Sequence, residues 1–350
     1  MTTLAGAPVR ELDRTLATLE RISALTPIEN ADAIESATVR GWNVVVKKGE
    51  FAVGDPVIYF EINSLLPLDD QRFAFLAPRG EKTVNGIRGH VLKTARLRGT
   101  YSQGLVLPVA LFPEVNECLD GITFAERLGI SKYEEPVPAE MEGKAAGPFP
   151  RDFAPKTTIE RAQNLTAAWD RIRNLPFIAT EKIDGTSTTF INDGGRLRVA
   201  GRNWEYTEPA SPAEGSVPWK IAAEYGILEK LPEGWAVQGE IYGAGVTAKN
   251  RLKINGKRFA AFNVLDHGVP VPRSAWPFGI GLMAAPVLKL RLPATVAEAV
   301  EQVNGLESVI TPGVQAEGVV WHHANGTAVQ ELGGRTAFKV INNKWLLKNS

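Results

Sequence analysis

The sequence is poor in the residues that build disulfides and zinc sites. One cysteine, Cys118, and four histidines stand in 350 residues. A single cysteine excludes an intrachain disulfide. Nothing around Cys118 suggests a nucleophile, and it is expected to be a small buried hydrophobe. The histidines offer no zinc-ligand spacing; His322 and His323 are adjacent, and adjacent side chains diverge on a strand. No run of about 18 apolar residues occurs, which argues against a membrane-spanning helix. The first residues lack the apolar core of a signal peptide, so a cytoplasmic protein is expected. Net charge is missing too, with 39 Lys and Arg against 39 Asp and Glu. Any nucleic-acid contact must then come from a local basic patch, not a bulk field.

What is present divides into two parts. Residues 1–15 read as a loose or short helical lead, and the chain from Ala17 to Pro108 reads as mainly β. Thr38 to Val46 is rich in β-formers, Gly49 and Gly54-Asp55 signal turns, and Pro56 to Ile62 reads as another strand. Val91-Leu92 and Gly104 to Leu107 continue the series. Short strands with glycine-containing turns fit a small barrel such as an OB-fold. Between Arg79 and Arg98, the cations Arg79, Lys82, Arg88, Lys93, Arg96 and Arg98 face Glu81 alone. They read either as a solvated edge or as a face for phosphates.

Residues 131–156 have a linker composition, with Glu134, Glu135, Pro136, Pro138, Glu140, Glu142, Pro148, Pro150 and Pro155. A second domain is expected from residue 157 to 350. It mixes strands with candidate helices at Pro218–Leu231 and Val296–Val303. Thr295 and Glu298 are spaced as a capping box for the latter. The expected class is α+β, an N-terminal barrel over residues 1–130 followed by a domain of antiparallel sheets with flanking helices.

The sharpest signal is Lys182-Ile183-Asp184-Gly185-Thr186-Ser187, which follows a strand-like run from Phe177 to Glu181. A lysine with Asp-Gly two residues on suits covalent nucleotidyl transfer. Its amine must be deprotonated, and burial or nearby positive charge lowers a lysine's pKa. Asp184 can help position a metal, and Gly185 lets the backbone pass close to a nucleotide. Five elements follow in order. Gly201-Arg202-Asn203 ends a strand with an arginine able to clamp phosphate. Val237 to Gly243 carries Glu240 near glycines. Ala260 to Asp266 carries Phe262, a candidate stacking ring. Ala316 to Trp321 carries Glu317 beside Gly318. Ala337 to Val340 carries Lys339. Singly these are a turn acid, a core ring or a surface lysine. Together they supply a nucleophile, a purine platform, a phosphate clamp, three carboxylates for a divalent metal and a second cation for transition-state charge.

In these motifs the chain resembles the covalent nucleotidyltransferases, the superfamily of ATP-dependent ligases and capping enzymes. Over its whole length it is similar to the Deinococcus-type RNA ligases, which place an OB-fold before the nucleotidyltransferase (ATP-grasp-like ligase) domain. Glu160 to Asn164 and Phe338 to Lys344 also look like family signatures. The resemblance implies an ATP-dependent RNA ligase. Lys182 would take AMP from ATP, pass it to an RNA 5′-phosphate, and the 3′-hydroxyl would displace it, at nicks in a duplex. Asp184, Glu240 and Glu317 would hold the hydration shell of Mg2+ or Mn2+. Lys339 would contact the α-phosphate, Arg202 the ribose or phosphate, and Glu181, Gly185 and Phe262 the nucleotide. Arg161, Gln163 and Asn164 would meet the ATP tail or the RNA end, and Lys344 would bind ATP. The six barrel cations would face nucleic acid. A monomer is the expected state. The Lys-x-Lys of many ligases is incomplete here, with Ala337 before Lys339 and Ile341 after it, so Lys344 or Arg335 is the candidate replacement. A DNA ligase or capping enzyme would carry its barrel after Lys339, and a degenerate binding protein would not need Glu240 and Glu317.

Overall fold

The structure is a computed structural model that describes residues 15–84, 86–118, 121–133 and 144–349. The expected N-terminal lead and the linker residues Glu134 to Glu142 lie outside the described residues. The described residues fall into two compact units. One holds residues 15–133 with Gln163–Ala167 and 346–349, and the other holds residues 144–162 and Ala168–Trp345.

The first unit is built around one long strand, Ala17–Pro27. Its first half pairs with Pro56–Phe60 and its second half with Ile34–Val39. The register slips between Ile22 and Ala24, so Ser23 is an extra residue, and its hydroxyl donates to the Thr38 carbonyl at 3.0 Å. Such a bulge bends the strand and lets one strand serve two pairings. Trp42–Lys47 buries Trp42, Val44 and Val46 in alternation, as a period of two requires. Leu105–Pro108 closes this five-stranded antiparallel sheet. A second sheet runs Ser131–Lys132, Ser64–Pro67, Ile87–Val91 and Lys82–Val84. Phe60, Phe73, Phe112 and Phe124 meet edge to face or tilted at 5.4–6.3 Å in the core. Cys118 packs half-buried at the border of this cluster, more open than its type suggests. Gln163–Ala167 lies against Gly41, where a Cβ would come within 2.9 Å of the Gln163 Cα.

The second unit has two sheets. The seven-stranded sheet runs Ala145–Pro148, Trp204–Tyr206, Arg196–Ala200, Thr186–Asp193, Trp235–Gly243, Lys257–Asp266 and Val269–Pro270. The five-stranded sheet runs Glu160–Arg161, Ala337–Ile341, Gly318–His323, Phe177–Lys182 and Val287–Leu288. All pairs are antiparallel as expected, except Glu160–Arg161, which runs parallel to Ala337–Ile341. The candidate helix over Pro218–Leu231 is two helices, Val217–Tyr225 and Ile227–Lys230. Gly226 between them takes φ 55° and ψ 51°, the left-handed stop that favours glycine. Val296–Val303 forms as its spacing predicts. Thr295 accepts from the Glu298 N–H at 3.2 Å, and Glu298 accepts from the Thr295 N–H at 3.1 Å. Val296, Ala299 and Val303 form its buried stripe.

Because that cap satisfies two backbone donors at once, Thr295→Ala should lower the urea midpoint of unfolding by an amount worth about 1 kcal/mol. A midpoint equal to that of the parent would show the cap to be idle.

Candidate active site

The strand Phe177–Lys182 ends in one sheet and the strand Thr186–Asp193 begins in the other, so Ile183-Asp184-Gly185 is a crossover. Ile183 is buried and anchors the crossover among Leu252, Ala260 and Ala285. Gly185 is needed by the fold itself. A Cβ there would stand 2.1 Å from the Ile241 carbonyl oxygen, so the glycine lets the crossover pass the adjacent strand.

Strand register then gathers the acids. Lys182 lies opposite Gly318, which brings the preceding Glu317 to the lysine, and Ser187 lies opposite Glu240. The Lys182 ammonium stands 2.6 Å from Glu317 Oε2. Burial acts to lower the lysine's pKa, but Glu317, Glu240 and Asp184 together overcome it and hold the amine above its ordinary value. This is the reverse of the depressed lysine the sequence leads one to expect. Three carboxylates outweigh desolvation here. The acids respond to one another. Burial, then the charge of Glu317, pushes Asp184 up to about 6 against the pull of Arg251 and Lys182. Burial is also the largest effect on Glu240; Lys182 opposes it, Glu317 and Asp184 add to it, and the result is about 8.

Opposed residues of a sheet share a face. Lys182 pairs with Gly318, Val320 pairs with Lys339, and Lys339 pairs with Arg161, so Lys182, Lys339 and Arg161 point to one side of the five-stranded sheet. Lys339 is half-buried and Arg161 is buried. Phe262 is the extra residue of a bulge, since Gln238 pairs with Asn263 while Gly239 pairs with Ala261. The bulge turns Phe262 away from the core side of Phe259, Ala261 and Val264 and toward the crossover cluster of Ile183, Leu252 and Ala260.

The other expected site residues have surroundings of their own. Glu181 is buried, with its carboxylate accepting from Ser308 Oγ at 2.5 Å and from the Val309 N–H at 2.8 Å. Burial raises its pKa against these hydrogen bonds. Arg202 is exposed and near enough to Glu240 to lower that acid's pKa. Gln163 and Asn164 group with the first unit. There Asn164 accepts from Trp42 Nε1 at 2.7 Å and donates to Glu61 at 3.3 Å. Lys344 is exposed, and its Nζ would lie 2.9 Å from a Cβ on Gly305, just past the helix Val296–Val303. Arg335 is buried and donates to the Lys156 carbonyl at 2.6 Å. In the first unit Arg79, Lys82, Arg88, Arg96 and Arg98 are exposed and Lys93 is half-buried. Arg88 pairs with Glu81, and Arg96 lies over the Tyr101 ring at 5.6 Å.

Sequence reasoning missed Arg251. Its Nη1 donates to Asp184 Oδ2 at 3.1 Å and Oδ1 at 3.3 Å. It lies in the segment between Gly243 and Lys257, outside every motif, and only tertiary folding brings it to Asp184.

Among the described residues no three Asp, Glu, His or Cys side chains converge as direct ligands of a metal. Glu317 nevertheless raises the proton affinity of Asp184, and Glu317 and Asp184 raise that of Glu240, a surplus of negative charge that suits a cation held through its own waters.

The folded state binds the Glu240 proton more tightly than an ordinary glutamate at 4.5 does, so stability is lost as pH rises from about 4.5 to about 8. Glu240→Gln carries no such proton. Its stability gain over the parent, in metal-free protein, should be absent at the acid end and grow to the order of a few kcal/mol by the alkaline end. Urea unfolding at both ends of the window measures it, and a gain that does not grow with pH contradicts the assignment.

An OB-fold domain family matches residues 16–109, and the RNA ligase family matches residues 175–341. No curated protein matches the chain at the sequence level. Among solved structures, a glutamate-to-alanine mutant of Naegleria gruberi RNA ligase with AMP and Mn is 34% identical; the match covers 96% of this chain and 99% of that one with a TM-score of 0.84. A lysine-to-alanine mutant of that ligase with ATP and Mn is 33% identical, covering 95% and 99%, with a TM-score of 0.83. The same ligase with PPi is 34% identical, covering 96% and 99%, with a TM-score of 0.83. With a third of the residues shared over nearly the whole of both chains, an OB-fold in front and a ligase domain behind, this chain belongs to the RNA ligase family.

Proposed function

We propose that this RNA ligase works through a lysyl-AMP intermediate on Lys182 and seals RNA 3′-hydroxyl and 5′-phosphate ends at nicks in a duplex. The observation that carries the reading is the Lys182 amine, 2.6 Å from Glu317, on the same sheet face as Lys339 and Arg161. The Lys182 nitrogen attacks the α-phosphorus of ATP; an N–P bond forms and the bond to pyrophosphate breaks. The ammonium proton must leave first, and Glu317 is the acceptor in reach. AMP then passes to the RNA 5′-phosphate with cleavage of the N–P bond. The 3′-hydroxyl attacks that phosphate and AMP departs.

Lys339 and Arg161 supply positive charge to the phosphates from one face. Phe262, turned by its bulge toward the crossover, stacks on adenine. Asp184, Glu240 and Glu317 would hold Mg2+ or Mn2+. The ion would supply positive charge that offsets these carboxylates and withdraws their support for the ammonium form of Lys182. The relatives with ATP and Mn support this choice of substrate and metal. The solved structures of the relative also include a lysine mutant with ATP and Mn and an apo mutant of the aspartate two positions after it, the spacing of Lys182 and Asp184. The N-terminal placement of the OB-fold supports the Deinococcus-type layout. The OB-fold domain grips nucleic acid through Arg79, Lys82, Arg88, Lys93, Arg96 and Arg98. The enzyme acts as a cytoplasmic monomer.

Incubation with α-labelled ATP and Mg2+, followed by denaturing electrophoresis, should label the parent protein and leave Lys182→Ala unlabelled. A labelled variant refutes the nucleophile. The triple variant Lys82→Glu, Arg96→Glu and Arg98→Glu should form lysyl-AMP within about twofold of the parent rate yet seal a nicked duplex more than about tenfold more slowly, with a shallower salt dependence. Undiminished sealing removes these cations from the nucleic-acid face.

A further inference from the structure

Arg251 lies in a loop that is built to hold it still. The Ala244 N–H bonds the Gly256 carbonyl at 2.9 Å and closes the loop between the strands Trp235–Gly243 and Lys257–Asp266. Within it the Asn250 side chain pairs with both backbone groups of Ile254, accepting from N–H at 3.2 Å and donating to the carbonyl at 2.9 Å. Lys253 sits at φ 54°, a left-handed turn held by its N–H bond to the Asn250 carbonyl at 3.1 Å. Leu252, next to the arginine, is 4% exposed in the cluster with Ile183, and its carbonyl accepts from Thr311 Oγ1 at 2.8 Å. The loop is therefore pinned on both sides of residue 251.

From that base the Arg251 side chain, 9% exposed, reaches Asp184, 12% exposed, and its guanidinium lies 5.3 Å from the centre of the Trp345 ring. One nitrogen shared between two carboxylate oxygens fixes the direction of the group while leaving lone pairs on both oxygens. Without that hold, Asp184 would be a buried carboxylate beside Glu317, and like charge would turn it away. The guanidinium also repels an incoming cation, so orientation and repulsion oppose each other, and orientation is the effect that a pinned loop serves.

We infer that Arg251 is a positioning residue, which sets the Asp184 carboxylate in the arrangement required for divalent-cation binding and lysine adenylylation. The inference rests on the reading of Asp184 as a holder of the cation. The test is a double-mutant cycle in the full chain with Arg251→Met, Asp184→Asn and both together. Free Mn2+ is titrated by its paramagnetic resonance signal with a non-hydrolysable ATP analogue bound. Arg251→Met should weaken Mn2+ binding at least about fivefold, and the double variant should bind within about twofold of Asp184→Asn alone. The rate of lysyl-AMP formation should fall about tenfold or more in Arg251→Met with a smaller change in the KM for ATP. Arg251→Lys should restore less than half of it, because a compact ammonium cannot reproduce the planar donor. Parent-like or tighter Mn2+ binding by Arg251→Met overturns the inference. Effects that multiply in the double variant also overturn it, because they would place the action of Arg251 outside Asp184 or in folding. If Asp184→Asn itself binds Mn2+ as the parent does, the reading of Asp184 fails and the inference fails with it.

Discussion

The contact between Lys182 Nζ and Glu317 Oε2 depends on the register of one strand pair, and one short crossover brings Glu240 of the other sheet to the same lysine. Lys182 closes a strand paired with Gly318, and two residues beyond Asp184 the chain enters a strand whose Ser187 opposes Glu240. A slip of one residue in either pairing would turn a whole set of side chains to the other face. It would carry Glu240 away from the lysine or bury Lys182 on the side of Glu181. The charge balance of the site is thus a consequence of register. It places three acids around one amine, with Arg251 as the additional cation bonded to Asp184.

The acid–glycine pattern has the same origin. Gly318 precedes no turn; a Cβ there would lie 2.2 Å from the Val340 carbonyl oxygen. At Gly239 it would lie 2.3 Å from the Phe259 ring. The glycines let neighbouring strands and rings close in, and the closeness carries Glu317 and Glu240 into a small, half-buried volume. Desolvation and mutual repulsion there push Glu240 to about 8 and Asp184 to about 6. The same packing that forms the sheet also creates the electrostatic strain.

Much of this was legible in the sequence, for reasons that are local. The strands around Lys182, Glu240, Phe262, Glu317 and Lys339 are short-range patterns of β-formers, and the Thr295 cap is a spacing of three residues. What escaped is non-local. Arg251 meets Asp184 across 67 positions, and Ser308 meets Glu181 across 127. The bulge at Phe262 is a mismatch between two strands and leaves no mark in either one alone. The sign of the Lys182 shift depends on the sum of one burial effect and three charges, which no single motif contains. The span Pro218–Leu231 divides for a different reason: Gly226 takes a left-handed backbone that ends the first helix.

Polar residues that look alike in a sequence divide physically into the satisfied and the strained. Asn164 meets Trp42 and Glu61, Arg335 meets the Lys156 backbone, and Glu181 takes two donors with no carboxylate among the causes of its shift. Such groups are buried or half-buried with their hydrogen bonds in place, and removing a partner costs stability. Asp184 and Glu240 differ because a neighbouring acid is among the causes raising each of them. A fold gains nothing by holding like charges together in low dielectric, so their grouping calls for a ligand of opposite sign. By that criterion Glu181 and Asn164 are held by their own hydrogen bonds, whereas the like charges around Lys182 are held against their mutual repulsion.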